Sequence, residues 1–420
     1  MFQVLQNSWS LLLGVGLLMV GNGLQGTLLG VRGDIEGFST FEMSLVMAAY
    51  FVGFLGGSRM APEMIRRVGH VRVFAALASL ISSVMILYPV LNDPYFWIIG
   101  RVIIGFCFSG VYVTAESWLN NAADNKNRGK ALSLYMIVQM VGVVAAQGLM
   151  LLADPSGFTT FIIASVLISI SFAPILLSIS PTPAFETTKP MPLSRILKIS
   201  PLGCVGMFLL GGVFSAQFGM SAVYGAQAGL SVAEISIFVG TFYVGAMLLQ
   251  YPLGWLSDRM DRRLLILAVA FVGGFASLVG MVMGSLFPFL LASAFIIGGA
   301  TNPLYSLLIA HTNDFLEHED MAAAAGGMVF INGLGAIAGP VITGWLMSDG
   351  VMGPSGFFLY MAALMMVLAA YAAYRTTQRP TVAVEDTGTM SPIYASSTAL
   401  AVEFAQEIAI EADQEEQDAA

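Results

Sequence analysis

Two charged side chains stand inside one apolar run. The stretch GRVIIGFCFSGVYVTAESWLNN, residues 100–121, holds Arg101 and Glu116. A guanidinium in such a place can bind an anionic solute through charge-assisted hydrogen bonds, or it can be a structural anchor. A carboxylate there can carry a proton, close a gate or form a static interfacial pair. In a helix, successive residues turn by about 100°, which puts Arg101, Gly105, Phe108, Tyr112 and Glu116 on one face. The two charges then lie about 22 Å apart along the axis, so each needs its own partner. Such a face is costly in lipid and must look at a neighbouring helix or an internal cavity.

The elements that position this face follow from composition. The chain has 420 residues, 57% of them hydrophobic and 10% charged, which is not a soluble globular composition. Apolar stretches of membrane-spanning length recur at about 8–30, 41–58, 72–92, 95–119, 130–153, 157–180, 201–225, 232–254, 263–285, 287–311, 321–346 and 355–375. Short loops join these twelve stretches, and backbone polar groups in lipid must be satisfied internally, so the expectation is a compact helical bundle. The first stretch lacks a basic leader and a small-residue cleavage site, and reads as a retained helix. Cys107 and Cys204 lie in apolar surroundings and suggest no disulfide framework.

Lysine and arginine set the orientation. With the N-terminus inside, the even-numbered turns and the segment after the last span collect fifteen of the seventeen basic residues, leaving Arg32 outside and Arg101 within a helix. The positive-inside rule therefore places both termini in the cytoplasm. At a depth comparable to Arg101 lies Gln25 on span one, with Asp34 or Glu36 just above, and the partner is expected among these three. Arg66, Arg67, Arg128 and Lys130 are within reach of Glu116. The net charge of −9 belongs to the tail, where nine acids and no base follow Arg379. That tail is expected to be solvated and disordered, with one amphipathic helix near 395–411.

A proline-rich polar segment, PTPAFETTKPMPLSRILKIS, divides the chain. The expected organisation is an N-terminal six-helix half (1–180), a linker (181–200), a C-terminal half (201–376) and the acidic tail (377–420). An offset of 193 residues pairs Gly105 with Gly298, Tyr112 with Tyr305, Asn120 with Asn313 and Gly142 with Gly335. Parallel repeats of this kind define a large transporter architecture.

Several motifs carry a family resemblance. GWLSDRMDRR, residues 254–263, resembles the loop signature of the major facilitator superfamily, with its glycine, Asp-Arg and closing basic pair. In the first half the corresponding loop is read as GSRMAPEMIRRVGHVR (57–72), with Ala61 in place of the usual aspartate. Arg101 with Gly105, NRGKALSLY (127–135) and GLGAIAGP (333–340) resemble further motifs of that family. AESWLN (115–120) and PLYSLLIAHTND (303–314) resemble its bacterial YcaD-type branch. The resemblance covers about residues 8–376. It implies an all-α membrane protein of twelve transmembrane helices, two six-helix halves related by pseudo-twofold symmetry, in a bacterial inner membrane. It also implies a secondary active transporter that moves a small organic solute by alternating access, with proton coupling resting on Glu116 alone.

In that architecture helices one, four, seven and ten line the cavity. The polar residues at mid-depth there are Asn22, Gln25, Arg101, Tyr112, Gln217, Tyr224, Asn302 and Tyr305, and neighbouring spans add Gln139, Tyr243 and Asn332. These form the candidate substrate set, although any one of them also suits interhelical bonding. Glu116, Arg128, Asp258, Arg259 and Arg263 form the candidate gate. Expected partners are a small-molecule substrate and membrane lipid, with no nucleic acid, no cofactor and a monomeric state. The alternatives are a multidrug-type efflux carrier, copper uptake through the methionine pairs 43/47 and 136/140, and a transporter-like sensor signalling through the tail. No phosphate-binding loop or catalytic constellation is present in the sequence.

Overall fold

In a computed structural model the chain is described over residues 2–122, 128–177, 191–378 and, in the tail, 380, 382–383, 387–388, 390–394 and 397–419. The side chains of 2–7, 121–122, 128, 319 and 411–419 lie outside that description. Among the described residues, twelve helices are long and apolar enough to cross a membrane: Ser8–Ile35, Thr40–Val68, His70–Leu87, Pro94–Asn120, Gly129–Leu149, Thr159–Leu176, Pro201–Gln227, Val232–Ser257, Arg262–Met283, Phe287–Asn313, Asp320–Met347 and Ser355–Thr376. These are spans one to twelve below. Every expected span is present, and the ends move by a few residues except at span two. That helix runs through Pro62 to Val68 and stops at Gly69, whose φ of 84° suits glycine.

The repeat is written into the helix starts. Gly37 and Gly229 both take positive φ, 76° and 75°. Two residues after each, Ser39 and Ser231 accept from the backbone of Glu42 and Glu234, whose carboxylates accept in return from the serine N–H. These are two copies of one capping box, which opens spans two and eight.

The chain forms two compact units: Met1–Thr187 with Phe218–Gly240 and Pro340–Phe357, and Thr188–Gln217 with Thr241–Gly339 and Phe358–Ala420. The division therefore does not follow the sequence halves, because parts of spans seven, eight, eleven and twelve belong to the first unit. There Gly30 meets Ala222, Gly219 meets Met47 and Gly344 meets Ser44. Of the expected linker, 181–190 lies outside the described residues, and Leu193–Ile199 is a short helix.

Glycines set the packing inside each unit. In the first, a methyl on Gly53 or Gly105 would overlap the carbonyl of Val102 or Tyr50, so spans two and four touch backbone to backbone. In the second, Gly245 and Gly298 stand equally against the carbonyls of Phe295 and Phe242, joining spans eight and ten. Gly57 lies against Phe106; the same contact recurs with the glycine on the other helix, as Leu249 against Gly299. These contacts follow an offset of 192 to 193 residues. The loop motif read from the sequence, Gly57 against Gly254, is displaced from that register by five residues. Helix starts instead match Arg262 with His70, and Asp258 with Arg66.

The tail has a helix near the expected place, but it is not the solvated chain that was expected. Residues Ala399–Ala419 form a helix, and Met390, Ile393, Tyr394, Ala401, Val402, Phe404 and Ala405 are buried within the second unit. Its acids suggested a solvated chain, but they flank an apolar series that the unit covers.

Candidate functional site

In the first unit, four of the predicted residues form one chain of hydrogen bonds. Arg101 Nη1 donates to Gln25 Oε1 at 2.8 Å, and Gln25 Nε2 donates to Asn22 Oδ1 at 3.1 Å. Asn22 Nδ2 donates to the Tyr112 hydroxyl at 2.8 Å, which donates to Met19 Sδ at 3.2 Å. The guanidinium also lies 4.8 Å from the centre of the Tyr50 ring, and Nη2 approaches Met47 Sδ at 3.4 Å. Cation–π contact and soft sulfur suit a weakly hydrated guanidinium. Gln25 is thus the partner, one of the three that depth matching proposed. Arg101 Nε has no partner among the described residues.

Glu116 is buried on span four and accepts from the Tyr135 hydroxyl of span five at 3.1 Å. Of the expected partners, Arg66 and Arg67 are engaged elsewhere. Arg66 and Arg67 both bind Glu63, at 2.8 and 2.6 Å, and are exposed. Arg128 opens the helix that leads into span five, but its side chain lies outside the described residues. Gln139 is buried one turn beyond Tyr135.

The second unit holds polar atoms with less company. Span seven carries one π-helical turn, Ala216–Met220, between two α-helical pieces. Such turns widen a helix locally and often mark functional places. Gln217 sits in it, fully buried, and neither its Oε1 nor its Nε2 has a partner among the described residues. Asn302 on span ten is buried with Nδ2 equally unengaged, one residue before Pro303. Tyr305 is buried one turn on, and Tyr243 is half-buried on span eight.

Two predicted members do other work. Asn332 donates to the Met207 carbonyl at 3.0 Å and ties span eleven to span seven. Tyr224 belongs to the first unit, stacked on Phe357 at 4.9 Å and beside Phe238 at 5.5 Å.

The candidate gate residues of the second unit do not pair with one another. Asp258 does not pair with Arg259 or Arg263. Arg259 lies over the Trp255 ring at 4.3 Å and donates to the Trp255 carbonyl. Arg263 binds Asp261 at 2.9 Å. The central cation is Arg262, buried at the start of span nine. It reaches Ser257 Oγ (3.1 Å), Asp258 (3.5 Å), the Ala310 carbonyl (3.5 Å), the Asp314 carboxylate and the Gly388 carbonyl of the tail. Burial pushes the Asp314 carboxyl up to about 6, against the pull of Arg262. The readable sign was the four-residue step from Asp258 to Arg262, which favours pairing across one turn.

A sequence model of the Major Facilitator Superfamily matches residues 11–232 and 202–404. The chain is 26% identical over 343 residues to the uncharacterized MFS-type transporter YcaD of Salmonella arizonae, covering 81% of this chain and 88% of that protein. The YcaD of one Escherichia coli strain is 25% identical over 363 residues, covering 84% and 94%. Among solved structures, the nucleoside transporter NupG superposes with a TM-score of 0.69 at 12% identity, over 87% of this chain and 98% of that one. A bacterial homologue of the human lysosomal transporter Spinster, inward-facing and occupied, superposes at 0.69 with 15% identity over 91% and 98%. These likenesses are of fold.

Proposed function

Because the chain belongs to the major facilitator superfamily, whose members above are membrane transporters, we propose that it is a secondary active transporter moving a small organic solute by alternating access. The reading places it as a monomer in a bacterial plasma membrane, with its basic loops and both termini in the cytoplasm. It moves its solute without chemical change. The observation that supports it is the pair of buried amides, Gln217 and Asn302, of which both Gln217 side-chain polar atoms and Asn302 Nδ2 have no partner among the described residues. Buried polar atoms are normally satisfied, and those left open cost about 1–3 kcal/mol each. A hydrogen-bonding solute, carrying carbonyl or hydroxyl groups, would satisfy them. Arg101 Nε offers a further donor for an anionic group. Glu116 is the carboxylate through which a proton gradient would act.

The test begins with thermal-shift screening of the purified protein against metabolite libraries, followed by flux of the hits in proteoliposomes. Gln217→Leu and Asn302→Leu should each cut uptake about tenfold or more, the loss expected when a site's polar contacts to solute go. Glu116→Gln should abolish uptake driven by a pH gradient while solute exchange survives. Hits whose flux ignores both amide substitutions would remove the amides from the site. A transporter-like sensor is favoured only if deleting residues 380–420 ends a cellular output while ligand binding persists.

A further inference from the structure

The tail carries an observation that the transport reading does not use. Ser306 lies seven residues before the end of span ten, about 10 Å inside it. Its hydroxyl donates to the Ile393 carbonyl and accepts from the Ile393 N–H, both at 2.9 Å. It accepts as well from Gln250 of span eight at 2.9 Å, which fills its hydrogen-bonding capacity. Nearer the loop, the Met390 N–H donates to Asp258 at 2.9 Å, and Arg262 donates to the Gly388 carbonyl. At the tail helix, Gln406 donates to Asn313 at 3.0 Å.

Residues 390–394 are non-helical. Irregular backbone at membrane depth is tolerated only where protein or an internal cleft surrounds it, so this segment cannot face lipid. Its backbone is read by side chains of the spans, and Met390, Ile393 and Tyr394 are buried beside those bonds. That is the anatomy of a peptide-binding groove, with main-chain bonds for affinity and pockets for side chains. The groove also links three spans at once: eight through Asp258 and Gln250, nine through Arg262, and ten through Ser306 and Asn313.

We propose that this groove is a binding site for the chain's own tail, and that the docked tail is a releasable inhibitor which holds spans eight, nine and ten together and must leave for solute to pass. The docking rests on the contacts alone. The inhibitory role rests on the transport reading. Among the described residues no disulfide fastens the tail in the groove, and non-covalent contacts of this kind suit release.

Two measurements on the full chain decide the matter. In hydrogen exchange, the amides of Met390 and Ile393 should exchange at least a hundredfold more slowly than in a free synthetic peptide of residues 387–410. Ser306→Ala should return at least tenfold of that protection. Exchange at the free-peptide rate would overturn docking while leaving the transport reading intact. Second, Asn313→Cys with Gln406→Cys, joined by a short bis-methanethiosulfonate linker that forms a mixed disulfide with each thiol and releases sulfinate, fixes the tail in place reducibly; Cys107 and Cys204 are buried and give little background. In proteoliposomes, uptake of the screened solute should fall at least fivefold on linking and return on reduction. Unchanged uptake in the linked protein would overturn inhibition. Flux absent from both linked and reduced protein, with exchange still showing a docked tail, would sink the transport reading and the inhibitory role with it.

Discussion

Spans three and nine begin with buried side chains at matching places of the repeat, His70 and Arg262, and the two are held in different ways. His70 hydrogen-bonds Ser117 Oγ at 3.0 Å, a neutral side chain like itself, and packs beside the Trp118 ring. Arg262 draws on Ser257, Asp258, Ala310, Asp314 and the tail. Ala310 occupies the place of Ser117 one repeat on, so both side chains reach the same turn of the facing span. An imidazole and a hydroxyl can satisfy each other where a guanidinium cannot. Five N–H donors taken out of water need a full set of acceptors. The first unit meets that position with a compact pair and leaves its charges, Arg66, Arg67 and Glu63, in solvent. The second unit buries the charge and recruits acceptors from as far along the chain as Gly388. The repeat preserves the geometry, and the chemistry at one position decides whether the tail is needed.

The largest expected break in this comparison is Arg262→Ala. It strands the Asp314 carboxylate, whose side chain is only 4% exposed, without its cation. Removing one partner of a buried ion pair costs about 3–5 kcal/mol. His70→Ala removes one hydrogen bond and some packing, about 1–2 kcal/mol. Thermal melting of the two variants in detergent should show the first loss clearly exceeding the second. Equal losses would mean that the Arg262 network contributes no more than a single neutral contact.

The next test sharpens the shared part. Gly105→Ala and Gly298→Ala each place a methyl against a carbonyl, of Tyr50 and Phe242. Overpacking of this kind costs about 1–3 kcal/mol. Because the contacts match, the two melting shifts should agree closely. A shift at one position only would show that one helix pair can yield where the other cannot, and the repeat would then be geometric without being energetic.

What the sequence disclosed follows from which forces act locally. Hydropathy marks spans because lipid acts on every residue of a helix, and all twelve were legible. Depth along a span is set by residue count, so Gln25 was legible as one of three candidate partners of Arg101. The bond between Glu116 and Tyr135 was not, because it comes from the packing of span five against span four, which no residue count specifies. The boxes at Ser39 and Ser231 were written plainly in Gly-x-Ser-x-x-Glu, and they carry the repeat better than the loop glycines that were compared. Gly57 and Gly254 align by motif, yet span two continues to Val68 while span eight ends at Ser257, so the motif slips against the fold. The tail misled because composition averages over its length. Nine acids outweigh a short apolar series, although that series is what the unit buries.

The smallest effect concerns pH and isolates one carboxylate of the Arg262 network. Burial raises the Asp314 carboxyl to about 6, with Arg262 opposing and Asp261 and Asp258 adding to the rise. A carboxyl raised on folding binds its proton more readily in the folded state. Stability from this group therefore grows as pH falls through about 6 and is lost as pH rises through the same range. Other acids titrate nearby, so the informative quantity is the difference between the native protein and Asp314→Asn. Between pH 7 and pH 5 the native melting temperature should gain a few degrees relative to the variant, on the scale expected for a change of about 1 kcal/mol or slightly more. His70 has no carboxylate in the matching place, so a substitution there should leave that difference unmoved. A native protein that loses ground to Asp314→Asn on acidification would show that the ion pair outweighs desolvation. The first unit would then stand as the less costly solution for the opposite reason, having given up a favourable pair to avoid needing a tail.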